Sequence, residues 1–174
     1  MTMGPGAFVW ERFGHNAIRV RDSLRGTDIA YNYGMFSFGQ EDFLLRFIRE
    51  LAIYEKAESS VQTDEAGIRA SLFGTDAKAR ALICEAEGTA IGYAVYFYNY
   101  STWLGRNGIY LEDLYVSPAS RGSGAGKALL QYIARQAVAE GCGRFEWSVL
   151  DWNTPAIDFY EAMGARPQSE WTVY

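Results

Sequence analysis

Glu112-Asp113-Leu114-Tyr115-Val116-Ser117-Pro118-Ala119-Ser120-Arg121-Gly122-Ser123-Gly124-Ala125-Gly126-Lys127 decides how this chain is read. It spells a strand, a Ser-Pro turn, a loop with three glycines and the start of a helix. Leu129, Leu130, Ile133, Ala134, Ala137 and Val138 follow at helical spacing, so the loop empties into a helix N-terminus. Such a terminus presents unpaired N–H groups and the positive end of the helix dipole, which suits a phosphate or pyrophosphate. Gly122, Gly124 and Gly126 let the backbone approach that anion, and Arg121 and Lys127 add charge. The alternative is a plain turn ahead of a helix.

Spacing narrows the kind of cradle. A Walker A loop needs four residues between its first glycine and Gly-Lys, then Ser or Thr; here three intervene and Ala128 follows Lys127. A dinucleotide fingerprint fails as well, because Lys127 stands where the third glycine belongs. What remains is Arg-Gly-x-Gly-x-Gly after a strand.

At 174 residues the chain fits one domain with a sizeable core. With 49% apolar residues it is globular. A net charge of −5 with no basic run argues against nucleic acid and suits a cationic ligand. Cys84 and Cys142 sit in apolar segments and read as reduced, buried thiols. No apolar run approaches the ~20 residues of a membrane span and no signal peptide is visible, so no membrane partner and a cytoplasmic location are expected. His15 is the only histidine, which leaves no histidine triad or multi-histidine metal site, and no metal is expected.

Apolar periodicity predicts an amphipathic helix over 43–58, then a short helix opened by Thr63 and closed by Gly74. A hairpin over 80–98 turns at Gly88, and strands follow over 110–116 and 144–150. The cradle helix runs over 126–140. A helix capped by Thr154, with Pro155 in its first turn, reaches Gly164, and a strand closes the chain over 171–174. Together these give an α/β (α+β) domain with a mixed, mostly antiparallel sheet flanked by helices.

Tyr160, in the middle of the last helix, has two readings. A core tyrosine with a satisfied hydroxyl is one. A phenol that protonates a thiolate leaving group is the other. Glu112 and Asp113 invite a similar choice. Alternation puts Glu112 on the face of Tyr110 and Leu114, and adjacent residues on opposite faces, so one of the two is expected in a site, and Glu112 is chosen. The aromatic run Tyr93, Tyr96, Phe97, Tyr98, Tyr100 and Trp103 reads as core and interface in preference to an amine box.

From about residue 43 the chain resembles the GNAT superfamily of N-acetyltransferases, in its diamine and polyamine (spermidine/spermine-like) branch. The resemblance rests on 47–55 (FIRELAIYE), 110–116 (YLEDLYV), 121–127 (RGSGAGK) and 151–160 (DWNTPAIDFY). It implies a GNAT fold, acetyl-CoA as co-substrate and transfer of acetyl to a primary amine of a polyamine, diamine or lysine-like amino acid. Tyr160 then matches the acid on the coenzyme A sulfur, and Glu112 the acidic residue near the amine. The backbone of Leu114, Tyr115 and Val116 matches the acetyl and pantetheine contacts, with a strand N–H near Tyr115 polarising the carbonyl. Arg121, Gly122, Ser123, Gly124, Ala125, Gly126 and Lys127 match the pyrophosphate loop, and Asn153 and Ala156 further cofactor contacts. Arg46, Tyr54, Glu55, Glu146 and Trp171 match positions near the amine. Glu146 replaces a histidine of the animal enzymes, and Ser169 stands where they place another acid. A homodimer is also implied. The alternative is a non-catalytic acyl-CoA-binding or sensing module.

Residues 1–48 depart from that pattern and resemble a fragment of an N-terminal domain of bacterial envelope proteins, which implies a fusion joined inside the first helix. Residues 1–42 are expected to be an atypical extension before the 43–174 acetyltransferase domain. Ala17, Ile18, Val20, Ile29, Tyr31 and Tyr33 alternate as in strands around Arg25-Gly26, so a hairpin is predicted, with 28–33 supplying the first strand of the sheet.

Overall fold

The computed structural model describes residues 16–22, 27–33 and 41–173, the first two segments as backbone only. Strands β1 (Asn16–Asp22) and β2 (Thr27–Tyr33) precede helices α1 (Glu41–Tyr54) and α2 (Glu65–Phe73). Strands β3 (Ala79–Ala86), β4 (Thr89–Ser101) and β5 (Arg106–Val116) form the centre. Helix α3 (Ala125–Ala139), strand β6 (Phe145–Trp147) and helix α4 (Thr154–Ala162) complete the order.

The six strands lie in chain order across one sheet, antiparallel except for the parallel pair β5–β6. Helices cover both faces. Leu129, Leu130 and Ile133 of α3 pack on Ile109 and Leu111, and Phe159 and Tyr160 of α4, with Met163 at its C-cap, join that side. Leu44 and Phe47 of α1, with Ile68 of α2, pack against Tyr93, Val95 and Tyr115 on the other. Two clusters split by a sheet are what a strand-rich chain with amphipathic helices builds when each helix has one apolar stripe to bury.

One irregularity positions the site. In the β4–β5 ladder Val95 faces Asp113 while Tyr96 faces Leu111, so Glu112 is an extra residue in a β-bulge. The bulge reverses the parity of β5. Ile109 and Leu111 before it, and Leu114 and Val116 after it, all meet the α3 side, while Tyr115 turns to α1. The expectation that Tyr110, Glu112 and Leu114 share a face is therefore corrected, because strict alternation holds only in an unbulged strand.

Other boundaries shift for local reasons. Asp64, not Thr63, caps α2, accepting from the Gly67 N–H at 2.8 Å. Asn153, not Thr154, caps α4. The 144–150 strand shrinks to Phe145–Trp147, and residues 171–173 form no strand, with Trp171 70% exposed. β2 bridges β3 at Asn32–Glu85 and pairs along its length with β1. His15, the turn at Arg25-Gly26 and Tyr174 lie outside the described residues.

Candidate active site

β6 pairs with β5 only over Ile109–Leu111, and then the two strands part. Tyr110 Oη and Ser148 Oγ, 2.8 Å apart, bridge them where they separate. Beyond that bridge a cleft of about 790 Å³ opens between Glu112–Val116 and Ser148–Leu150, floored by the cradle and α4. Among the described residues no strand pairs with this edge of β5 over Glu112–Val116, so its backbone polar groups can serve a ligand.

The cradle is built from backbone. Gly122 has φ +77° and Gly124 φ +92°, a left-handed conformation that side-chain-bearing residues adopt only with strain. Gly124 is the N-cap of α3 and contributes no capping side chain, so the first-turn amides remain for an anion. Arg121 is fixed at the rim: its Nε donates to the Val116 carbonyl at 3.1 Å, and its guanidinium lies 5.2 Å from the Tyr54 ring and 5.9 Å from the Tyr115 ring. A pyrophosphate-bearing ligand fits this geometry.

The opposite wall carries side chains. Tyr54 at the end of α1 donates its hydroxyl to Asn153 Oδ1 at 2.9 Å, the same oxygen that caps α4 through the Ala156 N–H. Glu55 follows, its pKa raised by burial. Glu112 is exposed at the bulge, and Asp113 beside it is half-buried. Asp113 accepts from the Tyr93 hydroxyl at 3.0 Å. Burial pushes its carboxyl up to about 6, with the Glu112 and Glu55 charges adding to the rise and the Tyr93 bond opposing it. Tyr160 stands on α4 against Trp147 at 4.9 Å, its phenol pushed up to about 12 by burial and then by Glu55.

The cleft thus gathers most of the expected residues: Glu112, Leu114, Tyr115, Val116, Arg121, Gly122, Gly124, Ala125, Gly126, Lys127, Asn153, Ala156, Tyr160, Tyr54 and Glu55. Tyr115 lines it near its backbone, since its hydroxyl is drawn away under α1 to Glu50 Oε2 at 2.9 Å. Four expected residues stand outside the lining. Ser123 is passed over between Gly122 and Gly124. Arg46 sits along α1, 3.6 Å from Glu50 and over the Phe43 and Phe47 rings. Glu146 is held on β6 by Asn99 at 2.6 Å and Arg144 at 3.4 Å. Trp171 projects from the C-terminal segment.

Sequence reasoning missed Asp113. One of Glu112 and Asp113 was expected in a site, and the bulge places both on the cleft. It also missed Ser148–Leu150, which the expected long strand would have kept in the sheet.

A glycine cradle at the mouth of parting strands suits a pyrophosphate-bearing ligand, and comparison with known proteins places the chain in the acetyltransferase class. The Acetyltransferase (GNAT) family profile matches residues 44–165. The chain is 43% identical over 135 residues to the thialysine N-epsilon-acetyltransferase of Sus scrofa, covering 73% of this chain and 79% of that protein. It is 48% identical over 80 residues to the L-ornithine N5-acetyltransferase of Arabidopsis thaliana, 46% of this chain and 35% of that protein. Its fold resembles that of a ribosomal-protein-alanine N-acetyltransferase from Brucella melitensis at a TM-score of 0.67, with 17% identity over 83% of this chain and 96% of that one. The chain belongs to the GNAT acetyltransferase family and is an N-acetyltransferase. The resemblance of residues 1–48 to an envelope-protein domain rests on those residues alone.

Proposed function

We propose that this enzyme transfers acetyl from acetyl-CoA to a primary amine of a small cationic substrate, a lysine-like amino acid or a short polyamine, by direct attack. The observation that carries this is the meeting in one cleft of the glycine cradle, the Tyr160 phenol and three carboxylates, Glu55, Glu112 and Asp113. The acetyltransferases of thialysine and ornithine among its relatives point to the same substrate class.

Acetyl-CoA supplies the acyl thioester. The cradle amides, Arg121 and Lys127 would hold its pyrophosphate, and the open backbone edge of β5 would receive the pantetheine and polarise the thioester carbonyl. Glu55, Glu112 and Asp113 attract the ammonium, and an amine near pKa ~10 must lose a proton before it attacks. Glu112 or Asp113 accepts that proton, freeing the nitrogen lone pair before the C–N bond forms. Tyr160, kept as a phenol, donates its proton to the sulfur as the C–S bond breaks, and the second proton that the nitrogen sheds on becoming an amide restores the phenol.

Thiol release from acetyl-CoA, measured with thialysine, lysine, ornithine, putrescine and spermidine, tests the assignment. Turnover confined to cationic amines is expected. Binding of acetyl-CoA with no turnover on any of them overturns it.

A homodimer in the cytoplasm belongs to the same proposal. Tyr100, Trp103 (89% exposed) and Leu104 cluster at the β4–β5 turn, an apolar group suited to burial against a second copy. Cys84 and Cys142 are free thiols, which suits a reducing compartment. No helix among the described residues is long and apolar enough to cross a membrane. Residues 1–42 would act as an extension whose hairpin covers the β3 edge.

A further inference from the structure

We propose that Tyr93 is a positioning residue for the transfer: its buried hydroxyl holds the Asp113 carboxylate at the cleft as a charged partner for the incoming ammonium. The proposal rests on the assignment of a cationic amine to this cleft.

Tyr93 itself lies outside the cleft lining. It is fully buried in β4, its ring stacked on Phe47 at 5.9 Å and tilted against Tyr115 at 6.3 Å. A phenol buried this way needs a partner for its O–H, and phenylalanine would fill the same space without that need. Its partner is Asp113 Oδ2, at 3.0 Å. The bulge at Glu112 makes the pairing possible, because Asp113 and Tyr115 after it turn to the α1 side, where Tyr93 lies opposite Tyr115 in the ladder. An unbulged β5 would send the Asp113 side chain toward α3.

The charges around Asp113 make the bond matter. From β5 it faces Glu112, from the end of α1 Glu55, and from β4 Tyr93. The cleft's cations, Arg121 and Lys127, stand at the cradle, and Tyr160 lines it from α4. Two neighbouring carboxylates and partial burial all favour the protonated form of Asp113, in which it would neither attract an ammonium nor take its proton. The Tyr93 O–H works against them, since it donates to the charged carboxylate. It also fixes one oxygen, leaving the other for the substrate.

The test is the pH profile of kcat/KM for a cationic amine, measured for wild type, Tyr93→Phe, Asp113→Asn and the double variant from pH 5 to 9. Tyr93→Phe should move the acidic limb up by about one pH unit, the scale of one hydrogen bond to a charged group. Its deficit should be about three- to tenfold near pH 6 and shrink as pH rises, with the KM for acetyl-CoA unchanged. Asp113→Asn should abolish that limb, and adding Tyr93→Phe to it should change nothing further. If Tyr93→Phe does not fold, 3-fluorotyrosine at position 93 keeps the shape, strengthens the donor and should move the limb the other way. An unmoved limb in whichever of these proteins folds, or a limb that survives Asp113→Asn, overturns the proposal while leaving the amine assignment intact. A wild-type enzyme that binds acetyl-CoA and acetylates no cationic amine removes the assignment and this proposal together.

Discussion

The two halves of the cleft are made differently. The cradle from Arg121 to Lys127 is a backbone device: two glycines at positive φ, an uncapped helix start, and one arginine tied to a main-chain carbonyl. The amine side is a side-chain device, in which Tyr54, Glu55, Glu112 and Asp113 are brought together by a helix end and a bulge. Backbone sites tolerate exchange of side chains but not of glycine, and side-chain sites behave in the opposite way. The expected effects of mutation divide along that line.

Tyr160→Phe should give the largest change, and it belongs to neither half. The ring would still pack on Trp147 and Phe159, and only the hydroxyl is lost. We expect kcat to fall by ~100- to 10,000-fold with the KM for acetyl-CoA unaltered. A wild-type rate would leave both halves as binding surfaces with no acid between them. Because its phenol is pushed up to about 12, Tyr160 should impose no fall in kcat with rising pH below about pH 10.

Gly124→Val probes the backbone half. At φ +92° a β-branched residue is strained by more than the ~1–2 kcal/mol of an ordinary left-handed residue, and its methyls stand where an anion must approach. The KM for acetyl-CoA should rise about tenfold or more, with the amine KM little changed. An unaltered KM would mean that the cradle does not hold the cofactor.

The contrast also explains what could be read from the sequence. Glycine spacing, Pro155 and the apolar stripes of α1 and α3 are local signals, and each governs its own few residues, so the order of elements and the cradle were legible. The bulge is not local. It exists because two strands pair with one residue extra, and nothing in Leu111-Glu112-Asp113-Leu114 announces it. Alternation alone therefore favours Glu112 over Asp113. Glu146 and Trp171 match the family by position along the chain, and in the structure they stand outside the cleft lining: Asn99 and Arg144 engage the first, and the second projects from a segment that forms no strand.

Asp113→Asn separates stability from activity on the amine side. Its carboxyl sits higher in the folded protein, about 6, than in the unfolded chain, near ~3.9, so the folded state binds the extra proton. The resulting stabilisation is complete below about pH 4 and is lost as pH rises through 6. At pH 7 the charged group therefore weighs on the fold. Asp113→Asn should raise stability there by about 1–2 kcal/mol, discounted for partial exposure, while lowering kcat/KM for the amine. Melting curves at pH 4.5 and pH 7.5 check this: the variant's gain over wild type should be about three times larger at the higher value. An equal shift at both would show that Asp113 titrates as an ordinary surface carboxylate.

Tyr54→Phe should give the smallest effect, yet it bears most directly on whether the halves are separate. Family resemblance gives Tyr54 to the amine. In the structure its hydroxyl reaches Asn153 Oδ1, its ring carries the Arg121 guanidinium on the cradle side, and Trp152 packs against it at 5.8 Å. It is a crosspiece between α1 and the start of α4. Losing one partly buried hydrogen bond costs about 1 kcal/mol, or roughly fivefold in an equilibrium constant. The Asn153 cap would keep its bond from Ala156, so α4 should hold its position. If the crosspiece couples the halves, KM should rise about two- to fivefold for acetyl-CoA as well as for the amine, and saturating one ligand should partly restore affinity for the other. A change confined to the amine KM would break the coupling and leave Tyr54 as an amine contact alone.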